Sequence, residues 1–191
     1  LEASKSFTKS FLARHNIPTA GYKEYTNKED LLKDVGIYGY PMVLKADGLA
    51  AGKGVVIPEN EADAIAAIEE MMGDKVFGSA ADKIVVEEFM TGREVSVLSF
   101  VDGNTIKIMT SAQDHKRAMD GDQGLNTGGM GTIAPNPYYT EAIAAECMET
   151  IFKPTIEAMK AEGRTFTGCL YFGLMLTPKG PKVIEYNCRF G

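Results

Sequence analysis

The sequence predicts an α+β protein built as two lobes, and three observations lead there. An apolar run, Pro41-Met42-Val43-Leu44, enters the small-residue stretch Lys45-Ala46-Asp47-Gly48-Leu49-Ala50-Ala51-Gly52-Lys53-Gly54. A β-branched run, Val55-Val56-Ile57, leaves it and stops at Pro58, which reads as strand, loop and strand. Helical and strand patterns are mixed along the rest of the chain. A seam near residues 88–94 separates a smaller lobe, residues 1–90, from a larger one, residues 91–191, with the first helix expected to pack on the larger lobe.

In order, Ser4 to His15 carries Phe7, Phe11 and Leu12 at helical spacing with Lys5 and Lys9 on other faces, and Asn16 and Pro18 end the helix. Tyr22 to Thr26 reads as a strand, and Asn27 before Glu29, Asp30, Leu31, Leu32 and Val35 as a capped helix. After Pro58, residues Glu59 to Met72 form a helix that Gly73 ends. Lys83 to Phe89 is a buried strand broken by Thr91-Gly92. The Asp102-Gly103 turn signal joins Glu94–Val101 and Thr105–Thr110 as an antiparallel hairpin. From Ser111 to Pro137 the pattern disappears, and a segment of that length is a candidate functional one. Thr140 to Glu162 is a long helix containing Pro154. Phe166–Leu176 and Lys182–Asn187 are strands joined at Thr177-Pro178-Lys179-Gly180.

Composition narrows the function. With 191 residues, 45% hydrophobic, the chain can bury a substantial core. A net charge of −6 argues against a general nucleic-acid surface, while leaving room for a lysine-lined nucleotide cleft. Its three cysteines, Cys147, Cys169 and Cys188, suit neither a disulfide framework nor a Cys-x-x-Cys metal site, which points to a reducing cytoplasm. No apolar run reaches the ~18 residues of a membrane helix. Opening on Leu1 and stopping at Gly191, the chain reads as part of a longer protein.

In the Lys45–Gly54 loop, Gly48, Gly52 and Gly54 permit close backbone approach, and Lys45 and Lys53 supply positive charge, so it reads either as a polyphosphate site or as a long hairpin turn. It differs from Gly-x-x-x-x-Gly-Lys-Ser/Thr: Gly54 occupies the hydroxyl position and a strand follows, so any magnesium must be held elsewhere. Period-two alternation in the final strand puts Val183, Glu185, Asn187 and Arg189 on one face. Glu185 and Asn187 offer hard oxygen ligands for Mg²⁺, or else belong to a solvent-facing salt bridge. Glu87, Glu88 and Glu94 flank the seam as ribose acceptors or as solvated turn charges. Gln113-Asp114-His115-Lys116-Arg117, followed by Asn126-Thr127-Gly128-Gly129-Met130-Gly131, gathers side chains and backbone amides suited to an anionic substrate. No nucleophile–base triad is present.

Taken together, these motifs resemble the ATP-grasp enzymes, and among them the phosphoribosylamine-glycine ligase (glycinamide ribonucleotide synthetase) family. The resemblance runs from Ser4-Lys5 through the Lys45–Gly54 stretch, Val86-Glu-Glu-Phe89 and Gln113–Arg117 to Asn126–Gly131 and Val183–Gly191. It implies two lobes binding ATP between them, with Lys45–Gly54 as a lid less ordered than its flanking strands when empty. Lys5 and Lys45 would meet phosphate, with Gly48, Gly52, Lys53 and Gly54 in the lid. Glu88, Phe89 and Met90 would form the adenine hinge, Glu87 would also belong to the nucleotide site, and Glu94 would take the ribose. Glu185 and Asn187 would hold Mg²⁺ (or Mn²⁺), while Arg189, Asp114 and Lys116 would act at the reacting groups. Asp114, His115, Lys116, Arg117, Gly128, Gly129, Met130 and Gly131 would line the substrate site. The implied reaction joins glycine to 5-phosphoribosylamine through an acyl phosphate, in a cytoplasmic enzyme whose flanking domains lie outside this chain. One departure stands out: many ATP-grasp enzymes carry a further carboxylate on the preceding strand, and Leu170-Tyr171-Phe172-Gly173-Leu174-Met175 offers none. That leaves open the number of metal ions and whether ATP or Asp114 completes their shell.

Overall fold

The computed structural model describes residues 1–48, 54–74, 76–121, 123–127 and 129–190. The chain divides into two compact units, Leu1–Phe11 with Ala20–Met90, and Leu12–Thr19 with Thr91–Gly191. The division falls within the first helix, α1 (Lys5–Arg14).

The first unit is a four-stranded antiparallel sheet of β1 (Tyr22–Tyr25), β2 (Met42–Ala46), β3 (Val55–Val56) and β4 (Ile84–Glu88), in the order β1-β4-β2-β3. Two helices, α2 (Lys28–Lys33) and α3 (Glu61–Ile68), start where asparagines cap them. Asn27 Oδ1 accepts from the Asp30 N–H at 3.1 Å and Asn60 Oδ1 from the Asp63 N–H at 3.0 Å, satisfying donors that no helical turn can reach. A π turn, Glu69–Gly73, follows α3. One sheet face presents Tyr25, Met42, Leu44, Ala46, Ile84 and Val86 to Leu31, Ala64, Ile68 and Met71, forming the unit's apolar core. The other face carries Lys45 and Glu87.

The second unit opens with β5 (Arg93–Asp102) and β6 (Ile106–Ile108), turned by Asp102, whose Oδ1 accepts from the Asn104 and Thr105 N–H groups at 2.9 and 2.7 Å. Within residues 111–137, which show no pattern in the sequence, the described residues include two small antiparallel ribbons. In one, β7 (Gln113–Asp114) pairs with β10 (Thr132–Ile133); in the other, β8 (Arg117–Met119) pairs with β9 (Gln123–Asn126). Strands this short leave too few alternating positions to register as a period.

The expected long helix is α4 (Glu141–Cys147) and α5 (Lys153–Ala161) joined by a π turn, Met148–Phe152. Pro154, lacking an N–H, sits at the start of α5 directly after that turn. The unit closes with β11 (Thr167–Thr177) and β12 (Gly180–Asn187), giving the antiparallel order β12-β11-β5-β6. Val95, Val97, Leu170, Phe172, Leu174, Val183 and Tyr186 are buried. Phe172 lies 4.5 Å from Phe152 and 5.3 Å from Tyr186, ring centre to ring centre, and the Tyr186 hydroxyl meets Thr155 Oγ1 at 2.8 Å. Burial raises the pKa of that phenol.

β12 corrects one expectation. Its register with β11 runs from Leu174–Val183 to Gly173–Glu185 and skips Ile184. The bulge shifts the alternation by one residue. Val183 therefore lies in the core with Tyr186, while Glu185 and Asn187 take the other face without it. Nor is that face interior: Glu185 is exposed and Asn187 half-buried. Among the described residues no helix is long and apolar enough to cross a membrane.

Candidate active site

In the first unit the predicted phosphate ligands lie close to the start of α1. Ser4 Oγ accepts from the Phe7 N–H at 3.0 Å, and Asp47 Oδ1, from the end of β2, accepts from the Ser6 N–H at 2.6 Å. A carboxylate at a helix N-terminus complements both its orphan donors and its dipole. Lys5 Nζ donates to the Gly48 carbonyl at 3.1 Å. Gly48 must be glycine, because a Cβ there would stand 2.9 Å from Ala80 Cβ. The Gly54 carbonyl accepts from the Ala46 N–H at 2.8 Å, anchoring the far end of the loop. Gly52 and Lys53, and with them the expectation of a lid, lie outside the described residues.

Glu87 is not a solvated turn charge. It is 2% exposed and divides its carboxylate between two lysines, Oε1 lying 3.0 Å from Lys45 Nζ and Oε2 3.5 Å from Lys9 Nζ. Lys9 also donates to the Ala20 carbonyl at 2.8 Å. The sequence reading left Lys9 outside the site; it is 2% exposed, and Lys45 8%. Burial pulls the Lys9 ammonium down to about 8, against the opposing pull of Glu87 and with that of Lys45. Glu88 is half-buried, and its N–H donates to the Gly21 carbonyl at 2.9 Å. Phe89 and Met90 follow β4 directly, Phe89 exposed and Met90 half-buried.

In the second unit, Glu94, Ser96, Tyr171, Gly173, Glu185 and Asn187 share the sheet face opposite the core. In register, Ser96 pairs with Gly173 and Gly173 with Glu185, while Tyr171 pairs with Asn187. The Ser96 and Tyr171 hydroxyls are 2.9 Å apart. Burial pushes the Tyr171 phenol up, against the pull of Ser96 and Lys116. A Cβ on Gly173 would stand 3.0 Å from Glu185 Cγ and 3.3 Å from Tyr171 Cε1. The position opposite Glu185 is therefore kept free of any side chain.

Lys116 Nζ lies 3.5 Å from Glu94 Oε2. Burial alone would lower this ammonium, but Glu94, Tyr171, Glu185 and Asp114 together raise it above its ordinary value. The two predicted substrate segments adjoin: the His115 N–H donates to the Gly131 carbonyl at 2.9 Å, the Met130 N–H to the His115 carbonyl at 2.7 Å, and the Thr127 N–H to the Lys116 carbonyl at 2.7 Å. Gly129, at φ 124°, has Asp114 Oδ1 3.1 Å from where its Cβ would be. His115 and Met130 are exposed. Arg117 enters through its backbone, paired with Asn126, and Gly128 lies outside the described residues. Arg189 is exposed and donates to the Phe190 carbonyl at 2.9 Å.

Sequence reasoning missed Lys9, Ser96 and Tyr171. For Lys9 the signal was available, since four residues from Lys5 is one helical turn on the same face. For Tyr171 it was the alternation that places it with Gly173.

These two antiparallel units, with a glycine-containing loop between two strands of the first and a carboxylate and amide on the last strand of the second, have the ATP-grasp fold. The solved structure of phosphoribosylamine–glycine ligase from Thermotoga maritima superposes with a TM-score of 0.87 at 35% identity, covering 100% of this chain and 48% of that one. Residues 3–191 match the family described as phosphoribosylglycinamide synthetase, ATP-grasp (A) domain, and the chain belongs to it. A phosphoribosylamine–glycine ligase of Vibrio cholerae is 52% identical over the whole chain, which covers 45% of that protein. The trifunctional purine biosynthetic protein adenosine-3 of Gallus gallus is 50% identical, with 19% of its length covered. The chain thus spans less than half the length of these relatives.

Proposed function

We propose that the protein carrying this chain is an ATP-dependent carbon–nitrogen ligase that joins glycine to 5-phosphoribosylamine, giving glycinamide ribonucleotide, ADP and phosphate in purine biosynthesis. The observation that carries this reading is the identity of about half of all positions, along the full chain, with proteins named phosphoribosylamine–glycine ligase. The site's chemistry supports it. In phosphoryl transfer a protein chiefly positions groups and offsets charge, so cations and acceptors are needed and a nucleophilic side chain is not.

In this reading Lys5, Lys45, Gly48, Gly52, Lys53 and Gly54 serve the phosphates of ATP. Glu88, Phe89, Met90 and Glu94 serve its nucleoside, and Glu87 holds Lys45 in place at the phosphates. Glu185 and Asn187 are the residues that would hold Mg²⁺ or Mn²⁺. They suit such an ion: Mg²⁺ commonly takes one or two protein carboxylates and completes its shell with water and substrate phosphates. When bound, the ion would offset phosphate charge. Lys116, Asp114, His115, Arg117, Arg189 and the Gly128–Gly131 backbone handle the carboxylate, the amine and the ribose phosphate. Glycine is activated as an acyl phosphate, and the amine of phosphoribosylamine displaces phosphate to form the amide. The setting is cytoplasmic.

The test is ADP release by the full-length protein with glycine and phosphoribosylamine, set against formate and aminoimidazole ribonucleotide. Glycine-dependent release is expected. Release that depends on formate or on aminoimidazole ribonucleotide instead would assign the protein to another ATP-grasp ligase or carboxylase, and nucleotide binding with no release under any condition would make it a binding module.

A further inference from the structure

On the sheet face opposite the second unit's core, the Ser96 and Tyr171 hydroxyls lie 2.9 Å apart. Each hydroxyl carries one proton and can also accept. The bond between them uses one of the two protons and leaves the other with no acceptor among the described residues. Packing holds the pair in place: Tyr171 is 7% exposed, and its Cε1 lies 3.3 Å from where a Gly173 Cβ would be.

The neighbours of that unspent proton define what it would meet. The Lys116 ammonium, 3.5 Å from Glu94 Oε2, acts electrostatically on both Tyr171 and Glu185. Tyr171 is the cross-strand partner of Asn187, as Gly173 is of Glu185, so the phenol stands beside the two residues proposed to hold the metal. A hydroxyl donor next to an ammonium suits an anionic oxygen. Of the two hydroxyls the phenol is the stronger acid and the better donor to an anion. With Ser96 donating to Tyr171 Oη, the phenolic proton is left for that use. We propose that Tyr171, with Lys116, donates a hydrogen bond to the substrate carboxylate that becomes phosphorylated, and that Ser96 is a positioning residue that turns the phenol toward it. This inference rests on the ligase reading above, in which glycine presents its carboxylate beside the phosphates of ATP. No bond at the phenol is made or broken.

The experiment uses the full-length protein as wild type, Tyr171→Phe, Ser96→Ala and Ser96→Thr, and measures the KM for glycine in ADP release together with calorimetric ATP affinity. Tyr171→Phe keeps the ring against Gly173 and removes only the hydroxyl. It is expected to raise the glycine KM by about tenfold while leaving ATP affinity within about threefold of wild type. Ser96→Ala should raise the glycine KM by about fivefold, and Ser96→Thr, which keeps a hydroxyl, should bring it back toward wild type. An unchanged glycine KM in Tyr171→Phe overturns the proposal. So does an equal loss of ATP affinity, which would put the phenol on the nucleotide or make its role structural. If Tyr171→Phe does not fold, the serine variants decide: equal glycine KM in Ser96→Ala and Ser96→Thr overturns it. Wild-type protein with no glycine-dependent release overturns the ligase reading itself, whereas release with a glycine KM indifferent to Tyr171 overturns only this inference.

Discussion

The two units use the same residue types in opposite surroundings. In the first, Lys9, Lys45 and Glu87 are enclosed, each less than one-tenth exposed. In the second, Glu94 and Glu185 remain exposed on a sheet face whose reverse side is the apolar core. An enclosed charge is fixed by its partners, and removing one partner leaves another stranded in low dielectric. An exposed carboxylate on a rigid strand has only a weak hold on stability and is accessible to a ligand. Under the proposed function, the contrast separates charges that prepare a site from charges that perform chemistry in it.

The contrast can be broken most directly at Glu87. Replacing it by Gln takes the shared carboxylate from two buried ammonium groups and is expected to destabilise the protein by about 3–5 kcal/mol, read as a lower midpoint in urea denaturation; a loss no larger than that of a surface substitution would mean the cluster is not enclosed. A smaller effect belongs to the second unit's core. Tyr186→Phe removes the bond to Thr155 Oγ1, which still donates to the Ile151 carbonyl at 2.7 Å, so the expected loss is about 0.5–1.5 kcal/mol by the same measurement.

The gentlest test is pH. The folded pKa of Lys9, about 8, lies below its ordinary 10.5. Below pH 8 both folded and unfolded states hold the proton, and the full cost of burying it applies. As pH rises from about 8 towards 10.5 the folded state releases its proton first, so the Lys9 contribution to stability improves through that window. Lys9→Met should lack that rise when melting temperatures are compared across it.

Most of the fold was legible because it is written in local signals. Asn27 caps its helix, Asp102-Gly103 turns a hairpin, and Thr177 to Gly180 turns another. What stayed hidden depended on pairing partners that a local pattern does not contain. The skipped residue at Ile184 moves Val183 to the core, and period-two counting along β12 alone has no means of placing a bulge. The ribbons within residues 111–137 are held by cross-strand bonds between segments too short to show alternation. In the site, Glu185, Asn187, Lys116 and Asp114 were legible as chemistry-bearing types, whereas the burial of Lys9 and Glu87 was not. A lysine on an amphipathic helix reads as solvated until its carboxylate partner is seen across the sheet.

Under the proposed function, the exposed face of the second sheet carries the chemistry, with Glu185 as its metal-holding carboxylate. Its most direct test is Glu185→Ala in the full-length protein, measuring glycine-dependent ADP release, ATP affinity and melting temperature on the same sample. Turnover should be abolished while much of the ATP affinity remains and folding stability changes by no more than about 0.5 kcal/mol. Turnover surviving in a folded Glu185→Ala protein would contradict it.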